Sequence, residues 1–181
     1  MDTEEQLLRR IRQGDRKAQK ELYQRFAGTA MAVAMRYVAD RETARDVLQE
    51  AFVKVFTNIP GFTPRGEGTL KAWVMRVVSN EAIKWMQKRR RLLFTEIPVD
   101  NADEPAEEPD VGSISIDVLQ RMIEQLPDGY RMVFCLYVFE QKSHKEIATL
   151  LGIKENSSAS QFLRAKRLLA KEIQKYKQQQ Q

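Results

Sequence analysis

An acidic, proline-containing stretch at residues 93–116 divides this chain into two parts. It holds three of the six prolines, lacks Lys and Arg, and shows no helical spacing of apolar residues. Because such a stretch cannot bury enough apolar surface to fold, we predict a flexible acidic linker here. We interpret it as a spacer; the alternative is that its negative charge competes with DNA for basic surfaces. Each flanking part must then form its own core, and each has the length of a small domain.

The sign of the net charge changes twice along the chain. Residues 1–92 carry +8 (19 basic and 11 acidic side chains), the linker carries −7, and residues 117–181 carry +4 (11 basic and 7 acidic). Two basic parts separated by an acidic one indicate two units that bind a polyanion, joined by a segment that avoids it.

Apolar residues recur at helical spacing in both parts, which predicts an all-α fold of two small helical domains, 1–92 and 117–177. The residues at 178–181 are predicted to form a disordered tail. The helix at about 41–57 is the clearest, because its apolar stripe leaves Asp46, Gln49 and Glu50 on the opposite side. The other helices are predicted at about 3–12, 16–38, 69–90, 117–126, 130–139, 144–151 and 155–175.

The second part contains the pattern of a helix-turn-helix. Ser143 and Glu146 form a capping-box sequence, and Gly152 suits a left-handed helix end. The last helix then follows, and its polar side can enter a major groove. The alternative is an ordinary helical hairpin with a solvated face. The residues expected on the polar side are Ser157, Ser160, Gln161, Arg164 and Arg167.

The helix at 69–90 carries a polar, basic stripe at mostly four-residue spacing, which can neutralise phosphates. Trp73 fits the apolar side of this helix, whereas Trp85 fits either core packing or stacking on a base. The preceding loop, 61–68, contains Phe62 and Arg65 and has the glycine content of a segment that can surround an extruded base. The stripe consists of Lys71, Arg76, Asn80, Lys84, Lys88 and Arg91.

Few residues offer enzyme chemistry. The chain has one His and one Cys, and it lacks the glycine-rich and metal-binding motifs of common enzyme sites. We therefore expect no catalytic residue, no metal and no cofactor. We assign Cys135 to the core and His144 to an exposed helix start. The N-terminal residues lack the apolar stretch of a signal peptide and no stretch is long enough for a membrane helix, so we expect a cytoplasmic protein without membrane insertion.

The first part resembles the extracytoplasmic-function sigma factors of the sigma-70 family. D-R-E-T-A-R-D-V-L-Q-E-A-F-V-K-V-F resembles the region-two helix that grips the clamp coiled coil of the largest polymerase subunit, and it implies core contacts by Asp46, Gln49 and Glu50. L-K-A-W-V-M-R-V-V-S-N-E-A-I-K-W-M-Q-K-R-R-R resembles the helix that opens the minus-ten element. This resemblance implies minus-ten contacts by Phe62, Arg65, Arg76, Asn80, Lys84 and Lys88.

The second part resembles region four of the same family. The matching segments are L-P-D-G-Y-R-M-V-F, K-S-H-K-E-I-A-T-L-L-G-I and R-A-K-R-L-L. They imply that the last helix recognises the minus-thirty-five element of the promoter. The residues implied in this contact are Ser157, Ser160, Gln161, Arg164 and Arg167. The chain departs from the family at 157–161, where β-branched and basic residues are usual. The resemblance therefore does not indicate which promoter sequence this chain recognises.

The resemblance implies a sigma factor that binds RNA polymerase core at the clamp coiled coil and flap and directs promoter recognition, DNA melting and transcription initiation. It also implies an anti-sigma factor as a partner. Two alternatives of other classes are a stand-alone helix-turn-helix regulator, which would bind duplex DNA unaided, and a helical protein-interaction adaptor, which would bind neither promoter nor polymerase.

Overall fold

The structure, a computed structural model, describes residues 3–38, 40–89, 112 and 114–180. The chain packs as two compact units, Met1–Met86 and Gln87–Gln181. The described part is helical throughout, which confirms the all-α fold class. Most of the linker predicted at 93–116, and Arg91 of the predicted stripe, lie outside the described residues. The domain boundary therefore stays a prediction.

Four α-helices and one short 3-10 helix lie in the described residues of the first part. Thr3 caps α1 through a capping box with Gln6, and Asp15 and Asp40 cap α2 and α3 by accepting backbone N–H bonds. The helices enclose a core of mostly aliphatic residues and three aromatic side chains, Phe26, Tyr37 and Phe52. The elements are α1 (Glu4–Arg12), α2 (Arg16–Tyr37), α3 (Arg41–Asn58), a 3-10 helix (Ile59–Gly61) and α4 (Thr69–Lys88).

Four more helices follow the linker: α5 (Ile116–Glu124), α6 (Asp128–Val138), α7 (His144–Leu151) and α8 (Glu155–Gln179). Their number and order agree with the sequence prediction. Two bounds differ. Helix α6 includes Asp128 and Gly129, which the sequence places in a turn. Helix α8 extends through Gln178 and Gln179, whereas the sequence prediction assigns these residues to a disordered tail. Because glutamine is a good helix former, it continues the preceding turns of the helix.

Candidate nucleic-acid and protein interfaces

Helix α3 presents the acidic and amide patch that the sequence predicts. Asp40 fixes the start of this helix, since its carboxylate accepts a 2.8 Å hydrogen bond from the Thr43 N–H. The apolar side of α3 is buried from Ala44 to Val55, and this orientation leaves Asp46, Gln49 and Glu50 exposed. We call these three residues the α3 patch. Their three- and four-residue spacing places them on one face.

An open groove of about 540 Å³ lies beside the α3 patch, between α2 and α3. Gln49 lines it, together with Tyr23 and Val53, which are 43% and 57% exposed. The Tyr23 ring packs edge-on against Phe52 at 4.7 Å between ring centroids. The sequence analysis missed this groove because Tyr23 shares the helical spacing of the α2 core residues. The signal was Val53, an apolar residue one helical turn after the polar Gln49 and Glu50 of α3.

Helices α3 and α4 are joined by an ion pair of Lys54 with Glu81. The hydrogen bond to Glu81 raises the pKa of Lys54 above its usual value. Lys54 therefore points toward α4 and stays positively charged at physiological pH.

Helix α4 carries the basic stripe on its solvent side. Its buried residues include Leu70, Val74 and Val78, whereas Trp73, predicted on the apolar side, is half-buried, as is Trp85. The stripe residues within the described part of the chain are all exposed: Lys71, Arg76, Asn80, Lys84 and Lys88. From Arg76 onward they recur every four residues, so they form one strip along the helix.

The loop before α4 has a defined shape. Phe62 is half-buried and stacks on Trp73, with the ring centroids 4.7 Å apart and the planes inclined by 27°. Arg65 is exposed, and its backbone N–H donates to the Thr69 hydroxyl at 3.2 Å. Gly66 adopts a φ of +122°, which side-chain-bearing residues rarely adopt. An aromatic pair and an arginine thus lie at the end of the basic stripe.

The helix-turn-helix forms as its sequence predicts. The Ser143 hydroxyl and the Glu146 carboxylate cap each other's backbone N–H groups at 3.2 and 2.8 Å. The Ser143 hydroxyl also donates to the Glu146 carboxylate at 2.7 Å. This bond, followed by the one from the Ser143 N–H, holds the pKa of Glu146 below its usual value. Gly152 ends α7 in the left-handed conformation, with a φ of +55°. Helix α8 begins at Glu155, three residues later.

His144 is half-buried, whereas the sequence places it at an exposed helix start. Its Nδ1 lies 3.0 Å from the hydroxyl of Ser158, a fully buried residue of α8. The imidazole also stacks on Tyr137, with the centroids 4.7 Å apart. The ring therefore fixes the angle between α7 and α8 rather than facing solvent. The sequence did not show this because Tyr137 belongs to α6.

The residues predicted to read duplex DNA from α8 are half-buried rather than free: Ser157, Ser160, Gln161, Arg164 and Arg167. Gln161 is the clearest departure, since its side-chain oxygen is buried and lacks a hydrogen-bond partner in the described part of the chain. Arg164 donates to the Tyr130 hydroxyl at 3.4 Å. The exposed residues among the first nine of α8 are Glu155, Asn156, Ala159 and Leu163. The sequence analysis missed Asn156, although its place in the first turn was the available signal.

The described ranges contain neither a cluster of metal-ligating side chains nor a candidate membrane-spanning helix. No three His, Cys, Asp or Glu side chains lie close enough together to hold a metal ion. None of the helices in these ranges is both long and apolar enough to cross a bilayer.

Two family models match the chain, one on each side of the predicted linker. Sigma-70 region 2 matches residues 22–92, and Sigma-70 region 4 matches residues 116–169. Together the matches span well over half of the chain. The chain belongs to the sigma-70 family. Region 2 contains the α3 patch, the loop and α4, and region 4 contains the helix-turn-helix.

The similarity to known sigma factors extends over nearly the whole chain. The ECF RNA polymerase sigma-E factor of Haemophilus influenzae is 29% identical over 187 residues, which are 95% of this chain and 96% of that protein. The RNA polymerase sigma-H factor of Pseudomonas aeruginosa is 26% identical and covers 96% of this chain and 95% of its own length. The chain is thus a sigma factor of the extracytoplasmic-function (ECF) class.

Among solved structures, the sigma factor RpoE in complex with the anti-sigma factor NepR from Bartonella quintana matches 86% of this chain and 96% of its own, with a TM-score of 0.44 and 21% identity.

As a sigma factor, the protein is a non-enzymatic subunit that directs RNA polymerase to promoters for transcription initiation. Membership of the family decides against the stand-alone regulator and the adaptor, because both regions are present in one chain.

Proposed function

We propose that this sigma factor holds core polymerase through the α3 patch, opens the minus-ten element with α4 and loop 61–68, and reads the minus-thirty-five element with α8. The observation that carries this division is in region 2, where an exposed acidic patch and an exposed basic stripe lie on different helices. One helix therefore suits a basic protein surface, and the other suits nucleic acid.

The α3 patch favours the clamp coiled coil over DNA. Asp46 and Glu50 are exposed carboxylates in a part of the chain with a net charge of +8, made of 19 basic and 11 acidic side chains. They repel phosphates and attract an arginine-bearing partner. The groove adds apolar contact through Tyr23 and Val53. Exposed apolar side chains beside charged ones are typical of a protein interface.

The minus-ten assignment rests on the continuity of stripe and loop. Arg76, Lys84 and Lys88 provide positive charge at four-residue multiples, and Asn80 provides a donor and an acceptor for a base edge. At the end of this strip, the Phe62–Trp73 pair gives an aromatic surface on which an unstacked base can continue the stack. The exposed Arg65 would supply a positive charge for the adjoining phosphate. Together these groups favour DNA melting by capture of extruded bases.

The minus-thirty-five assignment keeps the predicted residues but divides their roles. Arg164 and Arg167 reach phosphates from half-buried positions, while Ser157 and Ser160 contact the backbone or base edges. Gln161 needs a side-chain rotation to expose its amide. Asn156 is exposed in the first turn of α8, which is the part of a recognition helix that meets base edges.

We also propose contacts with the polymerase flap, an anti-sigma factor as regulator, and a cytoplasmic location. These follow from the family rather than from particular side chains of this chain.

Transcription from defined templates tests the proposal. Purified core polymerase, with and without this protein, is supplied with a promoter library, and specific starts are mapped. We expect starts only when the protein is present, and we expect Asn80→Ala with Lys84→Ala to reduce promoter opening without reducing core binding. Specific duplex binding by the protein alone, or no promoter-directed starts, would refute the proposed division of roles.

A further inference from the structure

Both ends of loop 61–68 are tied to α1. At the entry, the Arg12 guanidinium donates a hydrogen bond to the Phe62 carbonyl oxygen. At the exit, the Glu4 carboxylate accepts a hydrogen bond from the backbone N–H of Leu70, at 3.2 Å. These residues are 50 and 66 positions apart in the sequence, so neither bond belongs to a local turn.

The Glu4 bond fixes the start of α4. Leu70 is the second residue of that helix, and the N–H groups of a helix's first turn have no partner within the helix. A carboxylate there satisfies one N–H and also interacts favourably with the positive end of the helix dipole. Helix α1 thus supplies a cap for the helix that carries the basic stripe.

Thr69 closes the loop between these two ends. Its hydroxyl donates to the Gly66 carbonyl at 2.6 Å and accepts from the Arg65 N–H at 3.2 Å. Gly66 and Gly68 have φ values of +122° and +81°, which side-chain-bearing residues rarely adopt. The loop is therefore held at its entry, its middle and its exit.

Helix α1 is itself firmly placed. Leu7, Leu8 and Ile11 are at most 5% exposed, and Thr3 and Gln6 form a complete capping box at its start. A helix fixed by its apolar side can hold a loop through its polar side, because the backbone at Arg12 and Glu4 cannot shift unless the whole helix moves.

We propose that Arg12 and Glu4 are positioning residues for minus-ten base capture. They hold loop 61–68, and with it the Phe62–Trp73 pair, in a base-accepting shape before the DNA arrives. The inference rests on the proposed role of this loop at the opened strand. Pre-ordering a loop removes the entropic cost of ordering it during binding, so loss of either bond should slow promoter opening without affecting attachment to core or duplex.

The test uses the full protein assembled with core polymerase, and it compares Arg12→Ala and Glu4→Ala with two matched controls. Glu5→Ala and Arg9→Ala remove like charges from exposed positions of the same helix. Opening is measured on an intact promoter and on promoters in which each non-template base of the minus-ten element is replaced in turn by an abasic site. The captured base is the one whose removal slows opening by the wild-type holoenzyme.

We expect each alanine variant to slow opening of the intact promoter about tenfold, the order expected for one hydrogen bond to a charged group. On the template that lacks the captured base, each variant should match the wild type, because the loop then has nothing to capture. Arg12→Lys and Glu4→Gln keep a donor and an acceptor and should recover much of the rate. They also keep the test valid if an alanine variant fails to fold.

Equal slowing on every template would overturn the positioning role, since a general loss of folding or of phosphate contacts does not depend on one base. Slowing no greater than in the controls would overturn it as well. If Phe62→Ala slows opening in a base-dependent way and the Arg12 and Glu4 variants do not, only the positioning role fails. If no base is captured and Phe62→Ala has no effect, the proposed role of the loop fails with it.

Discussion

Arg131 has the largest side chain among the fully buried residues described, and only 2% of it is exposed. Its Nη1 donates to the carbonyl oxygens of Glu124 and Leu126 at 3.1 and 2.8 Å, and its Nη2 pairs with Asp128. These carbonyls lie at and just beyond the end of α5, where a helix leaves its last acceptors unsatisfied. Arg131 therefore caps α5 from the neighbouring helix.

Replacing Arg131 with alanine should destabilise region 4. Two carbonyl groups would lose a charged donor in a buried place, and the side-chain volume would be lost. We expect the free energy of unfolding to fall by about 3 kcal/mol. Hydrogen exchange of the α5–α8 amides, read by mass spectrometry in urea, separates this effect from region 2. Asp128→Asn is the control, and it should cost well under half as much because the Asp128 side chain is 46% exposed. Equal losses would contradict the capping role.

Single residues also show where sequence patterns fail. The exposure of Asp46, Gln49 and Glu50 was predictable, because the opposite side of α3 is apolar. The half-burial of Gln161 was not. Phe162, beside it, packs between the rings of Phe134 and Tyr137, at centroid distances of 6.0 and 4.3 Å. Helical spacing ranks the positions around one helix, but it does not reveal how far the side chains of another helix extend over them.

At the scale of elements, helix α7 depends on its capping box, and this dependence predicts an effect of pH. The folded pKa of Glu146 lies below its usual value of 4.5, chiefly because the Ser143 hydroxyl bonds to the carboxylate. A lowered folded pKa stabilises the fold above the unfolded pKa, and the stabilisation disappears as the pH falls through the folded pKa. The contribution is therefore present at pH 7 and absent well below pH 4.5.

We expect Glu146→Gln to lower the free energy of unfolding of region 4 at pH 7 and to converge with the wild type as the pH falls through the lowered folded pKa of Glu146. Urea unfolding followed by hydrogen exchange at several pH values measures this. Glu155→Gln is the control, since Glu155 is exposed in the first turn of α8, which lacks a side-chain cap hydrogen bond. Identical pH profiles for the two variants would contradict the explanation.

The proposed phosphate contacts of helix α4 predict that promoter binding depends on the salt concentration. If Lys84 contacts a phosphate, its removal releases one counterion fewer on binding. The slope of log affinity against log salt for promoter binding by the holoenzyme should then fall by about one unit in Lys84→Gln. Binding measured from 50 to 300 mM salt gives this slope. Lys20→Gln, on the exposed side of α2, should leave the slope unchanged. Equal slopes in all three proteins would place Lys84 away from the DNA.

The elements themselves were predicted well because local signals set their bounds. Asp40 and Ser143 begin helices with their side chains, and Gly152 ends one with a positive φ. The start of α4 is different. Its Leu70 N–H is capped by Glu4, a residue 66 positions away, and no local pattern can show this.

At the scale of the whole molecule, the separation of charge could be seen without a structure, because it depends only on the order of residues. What the sequence could not supply was the relation between surfaces within region 2. Lys54 shows the difference: it belongs by sequence to the same polar side as Glu50, yet its ion pair with Glu81 directs it toward α4. Glu81 is the main cause of the raised pKa of Lys54, and Glu50 also contributes, so the charge of Lys54 still acts on the α3 patch.

The two carboxylates of the α3 patch give the prediction for the molecule as a whole. Asp46→Lys or Glu50→Lys should abolish binding to core polymerase, because a cation would face the arginine-bearing coiled coil and like charges in an interface cost several kcal/mol. Both positions are exposed, so the helix content and the unfolding midpoint should stay within error of the wild type. Glu5→Lys, an equal charge change at an exposed position of α1, should bind core normally. Core binding by both α3 variants at wild-type affinity would show that polymerase is held elsewhere, whereas loss of binding by Glu5→Lys as well would mean that net charge rather than the α3 patch controls attachment.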